Sequence, residues 1–299
     1  MKIKKALALI GVHIFFSFIG SAQQKEVTIT IDKVTDDISM ITGRGGNIGI
    51  FKGEKNVFMI DDQFANLSDR LKATITSITD KPIAFLFNTH MHGDHSGGNA
   101  NFNTGHTTIV AHDKVRTRIA ENTAKNIDAK KIDVATAKKM LPELTFSNDI
   151  TFHDGDETIM GFHVHNAHTD GDAIVYFVEN NVIHMGDTYF TQRYPYIDLK
   201  SGGSVEGYIN AQKKALLLAN DATKIIPGHG KLSNKKELTE SVAMLEDLKN
   251  IMLKAIKAGK TLEEVKADSS LTAKYDAVYG TGFIKPEFMR TTLYSSLKK

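Results

Sequence analysis

Three histidines and one aspartate stand within six residues of the segment "NTHMHGDHSGGN", directly after the apolar run "IAFLF". His90 and His92 are two positions apart, so their imidazoles point the same way if the segment is extended. Asp94 and His95 follow Gly93, which lets the chain turn sharply and aim a second pair of ligands at a nearby point. Imidazole and carboxylate groups suit zinc, with iron or manganese as substitutes. The motif therefore predicts two metal ions.

Further ligands are expected at three later strand ends. His168 precedes the apolar run "AIVYF", Asp187 follows "NVIHMG", and His229 follows "KIIPG". The predicted set is His90, His92 and His168 for one ion, Asp94, His95 and His229 for the other, and Asp187 as a bridge between them. One coordination position then stays open for water, as a catalytic site requires. His165, three residues before His168, competes for the same role.

The elements that must position these ligands alternate between strands and helices. "VTITIDKV", "ISMITG" and "GNIGIFKGEKNVFMIDD" have the pattern of short strands joined by turns. Leu67, Leu71, Ile75 and Ile78 repeat at helical spacing, and "IAFLFNTH" then predicts a strand covered on both faces. The histidine motif thus follows the carboxyl end of a buried strand, where layered α/β folds commonly assemble their sites.

The rest of the chain continues this pattern and then turns helical. Short strands are expected at "TTIVAH", "ITFHDGDETI", "GFHVHNAH", "AIVYFVENNVIHMGD" and "KIIPGHG", with a helix over "SVEGYINAQKKALLLAND". A stripe from Leu238 to Ile256 predicts a long helix, and Thr261 with Glu264 predicts a capping box for the next one. We expect one domain over residues 23–299, with a helical C-terminal portion at 234–299.

The ordered set "HMHGDH", "HTDGD", "GD" and "PGHG" resembles the metallo-β-lactamase superfamily of metal-dependent hydrolases. The resemblance covers roughly residues 38–231, and it favours His168, in its "HT" context, over His165. It implies an α/β fold, a four-layer αββα sandwich, with a dinuclear zinc site at one edge of the two sheets. It also implies a metal-bridging hydroxide that attacks a carbonyl or phosphoryl centre, with Asp94 holding its ion and orienting the nucleophile.

The resemblance leaves the substrate open among β-lactams, thioesters, lactones, esters and phosphodiesters. One β-lactamase group has a cysteine where Asp187 stands and a lysine where Phe190 stands, so Asp187 with His95 favours an ester, thioester or lactone. β-Lactam hydrolysis is the alternative, because Arg193 could replace that lysine. A di-iron redox protein and a non-catalytic metal-binding protein are further alternatives. The aromatic-rich loop after Asp187 is a candidate pocket wall for a small-molecule substrate, and its candidate residues are Tyr189, Phe190, Arg193 and Tyr194.

The N-terminal segment predicts export. Residues 1–22 combine three lysines, an apolar stretch and small residues at Gly20 and Ala22, as in a secretory signal peptide, and this apolar stretch is too short for a membrane span. Cleavage would leave no stable membrane anchor and would change the formal charge from +2 to −1, which gives no electrostatic case for nucleic acid. The chain has no cysteine, so disulfides and thiolate ligands are excluded. We expect a periplasmic or secreted protein.

Overall fold

A computed structural model describes residues 27–298 of the chain. The predicted signal peptide at residues 1–22 lies outside the described residues. Among residues 27–298, no helix is long and apolar enough to cross a membrane.

The first sheet has seven strands that lie side by side in chain order. They are β1 (Thr30–Lys33), β2 (Ile38–Thr42), β3 (Ile48–Lys52), β4 (Val57–Ile60), β5 (Ile83–Asn88), β6 (Thr108–His112) and β7 (Leu144–Phe146). Strands β1 to β4 pair antiparallel, and β4 to β7 pair parallel. The parallel half follows from the helices between its strands, because a parallel connection needs a crossover.

The second sheet has six strands in the order β13-β12-β11-β10-β9-β8. They are β8 (Asp149–Asp154), β9 (Glu157–His163), β10 (Ala173–Phe177), β11 (Val182–His184), β12 (Lys224–Ile226) and β13 (Ser233–Asn234). Only β11 and β12 pair parallel, so the carboxyl ends of these two strands point to the same edge of this sheet.

Ten helices flank the sheets in the described part of the chain. They are α1 (Ser68–Thr76), α2 (Gly93–Ser96), α3 (Asn99–Phe102), α4 (Asp113–Asp128), α5 (Val134–Lys139), α6 (Val205–Leu218), α7 (Lys235–Lys257), α8 (Leu262–Ala267), α9 (Ala273–Tyr279) and α10 (Pro286–Leu297). Thr261 and Glu264 form the predicted capping box at α8. The helical C-terminal portion is confirmed.

Three buried clusters define the layers. Phe51, Phe58 and Phe87 of the first sheet pack against Val175 and Phe177 of the second, which makes the core between the sheets. The outer face of the first sheet packs on α1, and the outer face of the second packs on α6. The four-layer αββα sandwich expected from the sequence is therefore confirmed.

The C-terminal helices share a fourth core with α6. Tyr208 and Ile209 of α6 pack in one cluster with Leu245 and Leu248 of α7 and with Leu293 of α10. The apolar stripe predicted along α7 is thus buried against the body of the sandwich. This packing brings the segment between α9 and α10 toward the edge where the histidine motif lies.

Candidate metal centre

The histidine motif begins where β5 ends. His90 lies in a bend after Asn88, His92 follows it with extended backbone angles, and Asp94 and His95 lie in the first turn of α2. His168 lies in the loop between β9 and β10, Asp187 in a 3-10 turn after β11, and His229 after β12. The ligands therefore come from the same edge of both sheets.

These seven side chains form two groups that could each hold a metal ion. The first group contains His90, His92, His168 and Asp187, and the second contains Asp94, His95 and His229. Within each group the potential ligand atoms lie within 4.8 Å of one another. We call these the first and second ligand groups.

Asp187 faces both groups with different oxygens. Its Oδ2 lies 3.8 Å from Nε2 of His90 and 3.6 Å from Nε2 of His168. Its Oδ1 lies 3.0 Å from Nε2 of His95 and 3.4 Å from Nε2 of His229. The carboxylate of Asp187 thus lies between the two ligand groups.

Hydrogen bonds fix which nitrogen of each histidine faces the centre. His90 Nδ1 lies 3.1 Å from Thr89 Oγ1, and His92 Nε2 lies 3.1 Å from Asp198 Oδ2. His168 Nδ1 lies 2.7 Å from the carbonyl oxygen of Tyr196. Because these three nitrogens donate to oxygen, the other nitrogen of each ring presents a lone pair to the first group.

The same logic holds in the second group. His95 Nδ1 lies 2.7 Å from Asp61 Oδ2, and Asp61 also accepts hydrogen bonds from the backbone and the hydroxyl of Thr89. Sequence analysis did not single out Asp61, Thr89, Asp198 or Tyr196. Asp61 stands directly after the apolar strand "VFMI", which was an available signal for it.

A cation fits this arrangement of donors. His90 Nε2 is buried and has no hydrogen-bond partner, and Asp187 Oδ1 accepts no well-aligned hydrogen bond although His95 lies close to it. His92 Nδ1 and His168 Nε2 lie 2.9 Å apart, yet the ring protons of both side chains are already directed to oxygen. Two facing lone pairs at this distance need a positive charge between or beside them.

The pKa values of the histidines differ between the two ligand groups, since that of His90 is lowered and that of His229 is raised. Burial and the nearby charge of His95 hold the pKa of His90 well below its ordinary value, so this ring is a neutral ligand at neutral pH. Burial lowers the pKa of His229 too, but Asp187 and Asp94 raise it to about 9 overall. Burial raises the pKa of Asp187, but His95 and His229 hold it well below its ordinary value. The second group therefore attracts positive charge, as protons or as a cation.

Two glycines pack so closely against the candidate ligands that any side chain at either position would clash. A Cβ at Gly46 would lie 2.0 Å from Cε1 of His95, and a Cβ at Gly228 would lie 2.1 Å from Oδ1 of Asp187. The glycine-rich segment 43–49 is also hydrogen-bonded to the site, since the backbone of Gly46 donates to the carbonyl of Asp94 and that of Asn47 donates to the carbonyl of Gly228.

A cavity of about 630 Å³ opens above the two ligand groups. Its walls include Phe190, Arg193 and Tyr194, as the sequence suggested, together with residues that the sequence analysis did not name. Those residues are Arg44, Phe64, Phe283 and Ile284, and Tyr196 of the same aromatic-rich loop also lines the cavity. The expectation for Tyr189 is corrected. Its side chain is buried in the core on the outer face of the second sheet and its hydroxyl hydrogen-bonds Ser233, 2.8 Å away, because this position of the loop turns inward.

A separate group of histidines lies outside this cavity. His112, His163 and His165 line another cavity of about 400 Å³, and we call them the outer histidines. The rings of His112 and His163 stack with centroids 3.9 Å apart. His112 donates from Nε2 to the carbonyl of Ser147 and accepts at Nδ1 from the backbone of Lys114. Both of its nitrogens are therefore occupied.

Comparison with known proteins agrees with this geometry. The family model described as the metallo-beta-lactamase superfamily matches residues 41–229, which is more than half of the chain and includes all seven candidate ligands. The chain belongs to the metallo-β-lactamase superfamily. It is therefore a member of a superfamily of hydrolases, and its His and Asp clusters are consistent with metal binding.

Solved structures share the superfamily fold at low sequence identity. A metallo-β-lactamase from Pontibacter korlensis is 16% identical, with a TM-score of 0.62, over 74% of this chain and 100% of that chain. The DIM-1 metallo-β-lactamase is 20% identical, with a TM-score of 0.60, over 74% of this chain and 99% of that chain. The sec-alkylsulfatase Pisa1 from Pseudomonas sp. is 15% identical, with a TM-score of 0.65, over 89% of this chain and 50% of that chain. No curated protein matches the chain.

Proposed function

We propose that the protein is an exported hydrolase that depends on two zinc ions and acts on an ester, thioester or lactone carbonyl. His90, His92 and His168 would hold one ion, and Asp94, His95 and His229 the other. The observation that carries the proposal is the position of Asp187, whose two oxygens face the two ligand groups separately. A single structural ion would not need a buried carboxylate shared in this way.

Zinc at both positions would supply Lewis acidity and an acidified water at neutral pH. The chain's own residues would do the rest. Asp94 is partly exposed at the floor of the cavity, and its carboxylate lies 3.4 Å from Nε2 of His229. Burial raises the pKa of Asp94, but His229 and His95 hold it below its ordinary value overall, so Asp94 is ionised and accepts a hydrogen bond from an attacking water.

Hydrolysis of β-lactams is the second candidate. Arg193 lines the cavity, where it could contact a substrate carboxylate, and several structures of similar fold are metallo-β-lactamases. Asp187 stands against this candidate, on the sequence argument given above. The di-iron and non-catalytic alternatives stay open to metal analysis.

The test begins with protein stripped of metal by a chelator and reloaded with zinc. We expect two zinc ions per chain and turnover of a nitrophenyl ester, a thioester or a lactone that chelation abolishes and zinc restores. An Asp94→Ala variant that folds and loses turnover would separate an enzyme from a binding protein. Turnover of a chromogenic β-lactam alone would put the second candidate first, and tightly bound iron without hydrolysis would overturn both.

Export and small-molecule specificity are part of the proposal. The N-terminal pattern of residues 1–22 supports cleavage after Ala22, and the remaining charge offers no basis for nucleic-acid binding. Mass spectrometry of the protein from the periplasm or medium of an expressing cell should give a chain that begins at Gln23. An intact N-terminus in the cytoplasm would contradict export.

A further inference from the structure

Two exposed arginines, Arg44 and Arg193, line the cavity above the ligand groups. Within residues 27–298, neither guanidinium makes a hydrogen bond or an ion pair with another side chain. Arg44 lies over the ring of Phe64, with its Cζ 5.1 Å from the ring centroid. Guanidinium groups held in this way favour carboxylate, sulfate or phosphate groups.

The same two arginines separate the cavity from a neighbouring one. The neighbouring cavity has a volume of about 660 Å³ and is lined by Arg44, Arg193 and His229 together with residues of the first two strands. A ligand that reaches from the ligand groups toward these arginines therefore has room on both sides of them. The arginines stand at the rim, while the carboxylates of Asp94 and Asp187 lie at the floor.

Apolar side chains complete the lining of the cavity beside the arginines. Phe64 and Phe190 belong to the sandwich, and Phe283 and Ile284 belong to the segment between α9 and α10. Ile284 is buried, but Phe283 is 90% exposed. Such high exposure is unusual for a large apolar side chain. An apolar group of a ligand would bury this ring against the cavity.

The segment that carries Phe283, together with the end of α9 before it, packs against the loop that contains Arg193 and Tyr194. Tyr194 donates from its backbone to the carbonyl of Tyr279, 2.8 Å away, and from its hydroxyl to Asp276 Oδ1, 2.9 Å away. A Cβ at Gly282 would lie 3.3 Å from Cγ and Cδ of Arg193, so the backbone packs on the arginine stem. This segment lies after residue 229, where the family match ends. Phe283 and Ile284 therefore lie outside the matched region, whereas Phe64 and Phe190 lie within it.

We propose that this cavity binds an amphiphilic anion, with its charged group between Arg44 and Arg193 and its apolar group against Phe64, Phe190 and Phe283. The inference rests on the proposed function in one respect, namely that the ligand is the substrate. The specificity of the enzyme would then come from the C-terminal helical portion and the two arginines, because the metal ligands themselves select only the reaction. The charged group is a carboxylate or a sulfate, which the test distinguishes.

The test measures binding separately from turnover. Octanoate, octyl sulfate and neutral octanamide, each below its micelle concentration, are titrated calorimetrically into the full-length protein after metal removal and again after zinc loading. We expect at least one of the two anions to bind about tenfold more tightly than octanamide in the metal-free protein, since one charge-assisted hydrogen bond contributes roughly this factor. Tighter binding of octanoate or of octyl sulfate identifies the class of anion.

Variants then assign the two parts of the site. Arg44→Gln combined with Arg193→Gln should remove the preference for the anions, and Phe283→Ser should weaken all three ligands by a similar factor. Lys257→Gln is the control for charge, because this lysine is exposed at the end of α7. Leu217→Ser is the control for exposed apolar surface, because Leu217 is 87% exposed on α6. Both controls should bind like the unchanged protein.

Three results with the metal-free protein would overturn the proposal, and a fourth comes from the comparison with zinc-loaded protein. The three are equal affinity for octanamide and both anions, a preference that survives the double arginine variant, and a loss with Leu217→Ser as large as with Phe283→Ser. Preference for an anion only in zinc-loaded protein would assign the charge to the metal and also contradict it. Because the titration in metal-free protein requires no turnover, an inactive protein that still shows the arginine-dependent preference would fail the proposed function alone.

Discussion

The histidines of the ligand groups differ from the outer histidines in whether a ring nitrogen is directed at a common centre. In the ligand groups, hydrogen bonds to Thr89, Asp198, Asp61 and Tyr196 use one nitrogen of a ring and leave the other aimed at the centre. In the outer histidines, His112 uses both nitrogens on the backbone and its ring stacks on that of His163. Proximity of histidines is thus insufficient for a metal site. Free lone pairs that converge, with a carboxylate beside them, are what distinguish one.

The largest expected effect comes from two histidines that are three positions apart. His168→Ala removes a fully buried ring whose Nε2 faces the first ligand group, whereas His165→Ala removes an exposed ring of the outer group. We expect His168→Ala to lower kcat/KM by about 10³-fold, because it removes Lewis acidity worth several kcal/mol. His165→Ala should stay within about twofold of the unchanged protein, as neutral surface changes do. The zinc content of both variants is measured together with the kinetics. Loss of zinc from His165→Ala but not from His168→Ala would make His165 the ligand instead of His168.

A smaller effect is expected at a residue that only orients a ligand. Asp198 holds His92 through its side chain, and its backbone donates to the carbonyl of His168, 2.9 Å away. Asp198→Asn should weaken zinc affinity by about 10-fold to 100-fold, as other changes beside metal ligands do. Asp221→Asn, at a fully exposed carboxylate, is the control. Competition with a chromophoric chelator measures both, and equal affinities would mean that Asp198 has no role in holding His92.

The outer histidines should act on stability instead of metal binding. Burial lowers the pKa of His163 to about 4 from the ordinary 6.5, so the folded protein holds this ring neutral while the unfolded chain takes up a proton below pH 6.5. The stabilisation is therefore present above pH 6.5 and is lost as the pH falls toward 4. Between pH 7 and 4.5, this ring should lower the free energy of unfolding of the metal-free protein by about 2 kcal/mol.

Urea unfolding at the two pH values measures this loss. His163→Asn keeps a donor toward the carbonyl of Asp172 but cannot titrate, so the pH-dependent loss should shrink by that same about 2 kcal/mol. A loss of unchanged size in the variant would show that other groups cause the acid sensitivity.

The smallest effect is expected at His112. His112→Gln should leave zinc content and kcat/KM unchanged within about twofold, because both nitrogens of this ring already bond the backbone. The zinc content of purified protein and its rate on the substrate found in the panel are the measurements. Loss of a zinc ion from this variant would mean that His112 affects metal binding, which would contradict the distinction between the ligand groups and the outer histidines.

Sequence periodicity predicted the individual strands and helices, and the resemblance of the ordered motifs to a known superfamily implied the sandwich. The strand before His90, the helix at α1 and the capping box of α8 all follow from local patterns, and those patterns agree with the packing. The positions of the candidate ligands could be anticipated for the same reason, since each stands at a strand end. Local patterns could not locate the partners of the ligands, because Asp198 is 106 positions away from His92.

The cavity wall was the harder part to predict. The aromatic loop after Asp187 contributes Phe190, Arg193 and Tyr194 to the wall, but it turns Tyr189 into the core. Nothing in the local sequence distinguishes the two orientations, because both positions carry large aromatic rings. Phe283 reaches the wall only through the packing of α7 to α10 on α6, which is a property of the whole tertiary structure.

The late position of Phe283 in the chain bears on the order in which the molecule is made. A chain synthesised as far as His229 already contains every candidate ligand, but it still lacks Phe283 and Ile284 of the cavity wall. Because synthesis proceeds from the N-terminus at about 5–20 residues per second, the two parts are completed several seconds apart. Every candidate ligand and most of the cavity lining are thus encoded before Phe283 and Ile284, and only the finished chain has the complete wall.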